Sequence, residues 1–388
     1  MKDKQIYLEI TPFFPTEKSF RGPYIYDQVK AIERNSNYDV VVIKTVSVFS
    51  KEPTTYTYNG VKVYNFKVID FPSSILPGLF HTVNLHRFER FLKKIVGIIP
   101  QQIAFVHGHV AYPAGALAVE FGKRHNIKSF IQHHGLDVMQ LSNGRLLKGR
   151  LKELNNLFVK RRFLKSVNGA SINIGVSQKV LDRLHDIDGY AGKRESVLYN
   201  GVDTKKFYKK DVKKDRDIFT IGCIGNFWRI KDQMTLLKAL NILVNEKKIT
   251  DIKVIFVGSG PTLDECKKYC NRQGLQNYVE FRKEIDHTQL NDFYNTLDLF
   301  VLPSYYEALG CIYTEALQVG VPIVGVKGQG IEELIRHEDK EMMLIDKSDF
   351  IRLSNIMESF ILKTYNIDND YNFDINPIII PFIKEIIK

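Results

Sequence analysis

Cysteine is scarce, and its placement argues against a metal or redox site. Cys223, Cys266, Cys270 and Cys311 all fall in the second half of the 388 residues, with no Cys-x-x-Cys pair among them. Cys266 and Cys270 stand one helical turn apart, yet no histidine or further cysteine neighbours them in sequence, so they read as buried thiols. Long apolar runs are missing as well. Nothing approaches the roughly 20 residues of a membrane-spanning helix, and MKDKQIYLEITPFFP at the N-terminus holds no apolar stretch of signal-peptide length. The expected location is the cytoplasm. A dinucleotide fingerprint is absent too, because Gly258-Ser259-Gly260 runs into Pro261 with no third glycine at the required spacing. The net charge of +11 comes without a recognised nucleic-acid motif, so nucleic acid is not the expected partner.

What the chain does hold is the composition of a soluble globular protein, 44% hydrophobic and 26% charged. Its length allows two domains, each burying its own core. Charge is spread unevenly. Residues 1–200 carry 29 Lys and Arg against 16 Asp and Glu, whereas the remainder carries 26 against 28. A basic first half suits an anionic membrane surface or a phosphorylated substrate. That half alternates strands (5–10, 40–44, 173–177) with helices (24–34, 179–184), and Phe20-Arg21-Gly22-Pro23 makes a turn. The βαβ order calls for a parallel sheet with helices on both faces. Val106-His107-Gly108-His109 and His133-His134-Gly135-Leu136-Asp137 each close an apolar run, which places histidines at strand ends, where open α/β sheets bind ligands. Residues 145–165 set Arg145, Lys148, Arg150, Lys152, Lys160, Arg161, Arg162 and Lys165 among leucines and phenylalanines. A surface helix with its apolar face in the core is the favoured reading, and contact with anionic lipid is the alternative. Residues 86–94 are judged the same way.

The second half repeats the pattern with strands over 219–224, 252–257 and 279–282 and a helix over 233–244. Lys231 stands at the mouth of that helix after a glycine turn, an arrangement that suits a diphosphate because ammonium charge and helix N-terminus both favour the anion. The most informative stretch is 296–336, TLDLFVLPSYYEALGCIYTEALQVGVPIVGVKGQGIEELIR. A strand over 297–302 stops at Pro303-Ser304, and a helix-compatible stretch covers 307–318. Glu307 and Glu315 lie a little over two helical turns apart, so both reach one ligand only if Glu307 stands at the helix entrance.

Glu307-Ala308-Leu309-Gly310 followed at seven intervening residues by Glu315-Ala316-Leu317, with LDLFVLPS before and EALQVGVPIVG after, resembles the signature of retaining GT-B enzymes of glycosyltransferase family 4. The resemblance is strong over 219–336 and moderate over 100–207. It implies an α/β fold of the GT-B kind, two Rossmann-like parallel-sheet domains facing across a cleft. The expected division is an N-terminal acceptor-side domain over 1–208, a C-terminal nucleotide-sugar-binding domain over 218–370, and a tail over 371–388 that crosses back to the first. The charged stretch 209–217 is the expected linker, after Asn200-Gly201-Val202-Asp203, which is similar to the family's domain-closing segment.

The activity implied is transfer of a sugar, with retention, from a nucleotide diphosphate sugar to a glycan or lipid-linked glycan. A UDP-sugar is favoured over a GDP-sugar. By the same resemblance Glu315 accepts hydrogen bonds from ribose hydroxyls, Glu307 contacts the sugar ring, and His134 approaches the transferred sugar while Asp137 shapes its loop. Lys231 meets the diphosphate. The family commonly has an arginine where this chain has Asn226, and Arg229 of the same loop is the substitute. Gly225 and Gly258 let backbone approach the nucleotide, and the turn over 283–285 lies near its base. The N–H groups of Leu309 and Gly310 hold a sugar hydroxyl or phosphate oxygen. Gly22 stands where the family carries a more glycine-rich loop, and a plain turn explains it equally well. His109 and His133 receive no role. Asp368-Asn369-Asp370 resembles the metal-binding triplet of the other glycosyltransferase fold but sits in a polar tail, so no metal is expected. Two rival readings share this architecture, a UDP-N-acetylglucosamine epimerase and a non-catalytic sugar-nucleotide-binding partner subunit.

Overall fold

A computed structural model describes residues 4–17, 19, 21–71, 75–135, 148–212, 217–364, 367 and 370–387. The chain divides into two compact units, Met1–Asn200 with Asn376–Lys388, and Gly201–Ile375.

The first unit is built on β1 (Ile6–Thr11), β2 (Asp39–Ser47), β3 (Thr55–Tyr58), β4 (Val61–Val68), β5 (Ile103–His109), β6 (Lys128–His133), β7 (Ile172–Gly175) and β8 (Glu195–Val197). Their order is β3-β4-β2-β1-β5-β6-β7-β8, parallel except for the β3–β4 hairpin. A parallel sheet is covered on both faces, and every residue of β1 is buried accordingly. Alternation then sorts its side chains. Ile6, Leu8 and Ile10 join a core with Phe88 of α2 (His81–Phe91) and Leu117 and Phe121 of α3 (Ala116–His125). Tyr7 and Glu9 point to the other face, on which Val42, the register partner of Glu9, packs with Ile25 and Val29 of α1 (Pro23–Asn35). Two more helices, α4 (Gly149–Gly169) and α5 (Gln178–His185), contribute Phe163, Val167, Leu181 and Leu184 to a second apolar cluster.

The second unit has β9 (Phe219–Ile224), β10 (Ile252–Val257), β11 (Val279–Arg282), β12 (Leu299–Val301), β13 (Ile323–Val326) and β14 (Leu344–Ile345), all parallel, in the order β11-β10-β9-β12-β13-β14. The order reverses between β9 and β12. Connections from these two strands leave toward opposite faces, which opens a crevice at their carboxyl ends. Around the sheet lie α6 (Gln233–Asn241), α7 (Leu263–Gln273), α8 (Leu290–Asn295), α9 (Cys311–Gln318) and α10 (Phe350–Ile361).

Several expected bounds shift for local reasons. The helix expected over 307–318 starts at Cys311, because Gly310 turns the chain with φ +81° and a β-carbon there would lie 2.6 Å from the Tyr313 ring. Residues 201–208 cluster with the second unit: Val202 N–H donates to Phe373 O at 2.8 Å and Ile375 N–H to Val202 O at 3.1 Å. The terminal helix, α11 (Ile375–Ile387), takes Pro381 into its length. Proline removes one backbone donor, and burial of Ile379, Phe382, Ile383 and Ile386 keeps the helix in place. Phe382 lies over the first sheet, with ring centroids 6.3 Å from His107 and 6.4 Å from Phe130. Among the described residues no helix is long and apolar enough to cross a membrane.

Candidate active site

In the second unit, loops from β9, β10, β12 and β13 gather around the reversal in strand order. The β9 loop ends in a short turn, Arg229–Lys231, where Lys231 N–H donates to Trp228 O at 2.8 Å. Lys231 Nζ pairs with Glu307 Oε1 of the β12 loop, and their side chains are 23% and 12% exposed. The two loops are also joined at Ile230, whose carbonyl accepts from Tyr305 N–H at 3.1 Å and lies 3.0 Å from Ser304 Oγ. Glu307 is fixed through its backbone. Its N–H donates to Gln329 Oε1 at 3.0 Å, and its carbonyl accepts from Gly330 N–H at 3.3 Å. A β-carbon on Gly330 would come within 1.9 Å of Ala308 O, so this approach of the β13 loop needs glycine.

Glu315 lies one face of α9 inward. Its Oε2 accepts from Tyr294 OH at 2.9 Å, and its Oε1 faces His287 Nε2 at 3.7 Å. Burial, and then the neighbouring carboxylate, push the Tyr294 phenol well above its usual range, so it remains a donor and holds the carboxylate in one orientation. Gly225 and Gly258 mark where the β9 and β10 loops press together: a β-carbon on Gly258 would lie 2.3 Å from Gly225 O. Leu309 is buried and Gly310 caps α9. Asn226 and Arg229 are exposed, and Arg229 lines a cavity of about 320 Å³ with Thr262, Glu265 and Cys266. Among the described residues no ion pair or hydrogen bond joins Arg229 to Lys231 or Glu307. Sequence reasoning missed His287, Tyr294 and Gln329. His287 follows the turn where the base of a donor was expected, which was the one available signal; Tyr294 and Gln329 reach the glutamates only through the fold.

The first unit places His134 directly after β6, stacked on His109 with centroids 5.1 Å apart and flanked by the Tyr24 ring at 5.0 Å. His109 Nδ1 lies 2.8 Å from His134 Nε2, and His109 Nε2 pairs with Glu9 Oε1. His107 stacks on His109 at 4.6 Å and receives Tyr7 OH at 2.8 Å. Sequence reasoning did not single out Glu9. His133 turns aside, its Nε2 3.1 Å from Asn173 Oδ1. Gly22 has φ +85°, and a β-carbon on it would lie 2.9 Å from Phe13 O, so close approach of the chain to itself explains that glycine. Asp137 and Arg145 lie outside the described residues, as do Asp368 and Asn369 of the acidic triplet. A cavity of about 1030 Å³ opens beyond β1 and β2, lined by Arg21, Lys44, Glu52 and Tyr56 among others.

Residues 11–206 match the family model described as Glycosyltransferase Family 4, and residues 204–371 match the one described as Glycosyl transferases group 1. The chain belongs to glycosyltransferase family 4. Family relatives include an uncharacterized glycosyltransferase of Methanocaldococcus jannaschii, 22% identical over 76% of this chain and 74% of that one. N-acetyl-alpha-D-glucosaminyl L-malate synthase of Bacillus anthracis is 25% identical over 67% of this chain and 68% of its own. Among solved structures, Anabaena HepE in complex with UDP and glucose superimposes with TM-score 0.68 at 16% identity, covering 99% of both chains. Sucrose-phosphate synthase from Thermosynechococcus elongatus gives TM-score 0.68 at 17% identity, over 98% of this chain and 94% of that one. At such identities the likeness is one of fold, and the fold is GT-B.

The buried cluster of this glycosyltransferase has a consequence for its stability. Burial pushes the Glu9 carboxyl from 4.5 up to about 7. It pushes His107 and His109 from 6.5 down to about 3. Between the unfolded and folded values the native chain binds fewer protons at the histidines and one more at Glu9. The histidines therefore make stability rise with pH, and Glu9 opposes them. Unfolding free energies from urea titrations between about pH 5 and pH 6.5 should rise more steeply with pH in Glu9→Gln, by close to one proton or about 1.4 kcal/mol per pH unit. An unchanged slope would contradict the burial of a titrating acid there.

Proposed function

We propose that this chain is a retaining, metal-independent glycosyltransferase that moves a sugar from a UDP-sugar to a glycan acceptor carried on lipid, in the synthesis of a surface polysaccharide. The observation that carries this reading is the Lys231–Glu307 pair spanning the strand-order reversal, with Glu315 held by Tyr294 in the same unit. Without ligand, Glu307 neutralises the ammonium. With donor bound, Lys231 exchanges that carboxylate for the diphosphate, and Glu307 accepts from hydroxyls of the sugar. Glu315 accepts from the ribose hydroxyls. As the glycosidic bond breaks, negative charge grows on the diphosphate, and Lys231, the N–H groups of Leu309 and Gly310 and the start of α9 lie where that charge develops. Arg229, Asn226, Gly225 and Gly258 belong to the nucleotide side. His134 of the first unit serves the transferred sugar. The leaving phosphate takes the acceptor proton, in a same-face displacement that keeps the anomeric configuration.

A UDP-sugar is supported by HepE, which has been solved with UDP and glucose. A glycan acceptor is supported by a relative that is a lipopolysaccharide core biosynthesis mannosyltransferase of Rhizobium meliloti, 29% identical over 40% of this chain and 47% of its own. The membrane side of the reading rests on α4. Its second half buries Phe163 and Val167, as a surface helix should, but Leu151, Leu154 and Leu157 in the first half are 65%, 62% and 65% exposed beside Lys148, Arg150 and Lys152. Apolar side chains flanked by cations on one helix suit an anionic membrane surface on the cytoplasmic side.

A melting-temperature panel of UDP-glucose, UDP-galactose, UDP-N-acetylglucosamine and GDP-mannose should show stabilisation by a UDP-sugar. Lys231→Ala should weaken that binding about 10- to 100-fold, and Glu307→Gln should slow transfer by about two orders of magnitude, with EDTA leaving transfer unchanged. Transfer that survives both substitutions would mean the site lies elsewhere. In co-sedimentation with phosphatidylglycerol vesicles at low salt, Leu151→Glu with Leu154→Glu should abolish most of the binding. Equal binding by the variant would remove α4 from the membrane contact.

A further inference from the structure

Beneath α11 the first sheet carries polar side chains on a face that packing would fill with apolar ones, and they run as one chain. Glu9 of β1 stands opposite His107 of β5 in the strand register, and His109 follows two residues along the same face. All three are fully buried. Among the described residues Glu9 Oε2 has no hydrogen-bond partner, with His107 Nδ1 lying 3.5 Å away, and the carboxyl's hydrogen bond runs through Oε1 to His109 Nε2. The other nitrogen of His109 lies 2.8 Å from His134 Nε2. Burying an acid costs free energy that a valine at this position would not incur.

A neutral imidazole bears one N–H. With Glu9 ionised, the hydrogen of His109 sits on Nε2 and faces the carboxylate, Nδ1 is an acceptor, and His134 donates from its Nε2. With Glu9 protonated, the direction reverses along the whole chain: Glu9 O–H donates to His109 Nε2, His109 donates from Nδ1 to His134 Nε2, and the hydrogen of His134 moves to its Nδ1. A single proton on Glu9 thus selects which nitrogen of His134 carries hydrogen.

We propose that Glu9 and His109 are positioning residues for His134, a buried relay that fixes the orientation of its ring and selects its tautomer. This rests on the reading of His134 as the residue that serves the transferred sugar. The relay accounts for an acid in the sheet core, for the stack of His109 on His134, and for the pairing of both nitrogens of His109. Titratable groups around Glu9 are Tyr7 on its own strand, His107 and His109 on β5, and, through these, Tyr38 and His134. On the covering helix Lys384 is exposed and Glu385 is held by Arg194 and Ser196.

The full-length protein labelled with 15N-histidine reports the tautomers directly, with the His134 signals assigned from their loss in His134→Gln. In the wild type His134 should carry hydrogen on Nε2 at about pH 8.5 and change toward Nδ1 as the pH falls to about 7, where Glu9 takes up its proton. Glu9→Gln, whose amide oxygen can still accept from His109, should keep the Nε2–H form at both pH values. His109→Phe should release the ring from the relay and remove the pH-dependent exchange. In release of UDP from the sugar nucleotide selected by the melting panel, His109→Phe should lower kcat about tenfold or more, leave donor KM within about twofold, and Glu9→Gln should restore near wild-type turnover at about pH 8.5. Identical His134 spectra in the wild type and His109→Phe would overturn the relay. So would one divalent ion per chain, lost in Glu9→Gln, since the ligand atoms of Glu9, His107 and His109 lie within 4.8 Å of one another. Turnover that survives His134→Ala would sink the reading on which the relay rests, whereas turnover that falls in His134→Ala but survives His109→Phe would sink the relay alone.

Discussion

The ion pair between Lys231 and Glu307 ties together two loops that the topology would otherwise leave apart. β9 and β12 are neighbours in the sheet, but their connections run to opposite faces, so nothing in the backbone ladder joins the segments beyond their ends. The side-chain pair, with the hydrogen bonds at Ile230, closes that gap. It also sets a cation and a carboxylate at the reversal in strand order, where a ligand can reach the ends of several strands. Glycine at 258, 310 and 330 then allows the surrounding backbone to come close enough for its N–H groups to matter.

The first unit solves a different problem. Its sheet is apolar on the face toward α2 and α3, where Leu8, Ile10, Phe88 and Phe121 interlock. The opposite face takes an acid and two histidines, each fully buried and each matched to a neighbour by hydrogen bonding or stacking. Low dielectric holds both imidazoles neutral and the acid near the middle of the pH range. The terminal helix completes this face through Phe382, which is why the end of the chain belongs with its beginning.

Much of this was legible in the residues. The strands at 219–224, 252–257 and 279–282 have the bounds their apolar runs indicate, since a buried parallel strand leaves little choice of period. Family and fold followed from the words around Glu307 and Glu315. Local chemistry failed where a single glycine decided the path: Gly310 delays α9 by four residues, and nothing in a helix-compatible stretch announces that. It failed again at the chain end, where tertiary packing carries a helix through Pro381. Glu9 was invisible because an acid in a strand normally reads as an outward-facing residue, and its partners come from strands about a hundred residues away. Tyr294 was hidden because it meets Glu315 only through the fold.

Under the proposed function Lys231 is held by Glu307 until the diphosphate of the donor displaces that carboxylate. Calorimetric titration of UDP, which lacks the sugar that Glu307 would contact, isolates that exchange. Removing the competing carboxylate in Glu307→Gln should tighten UDP binding, by about three- to tenfold for a half-buried pair. Unchanged or weaker UDP binding by Glu307→Gln would show that the pair and the diphosphate do not compete for the same ammonium.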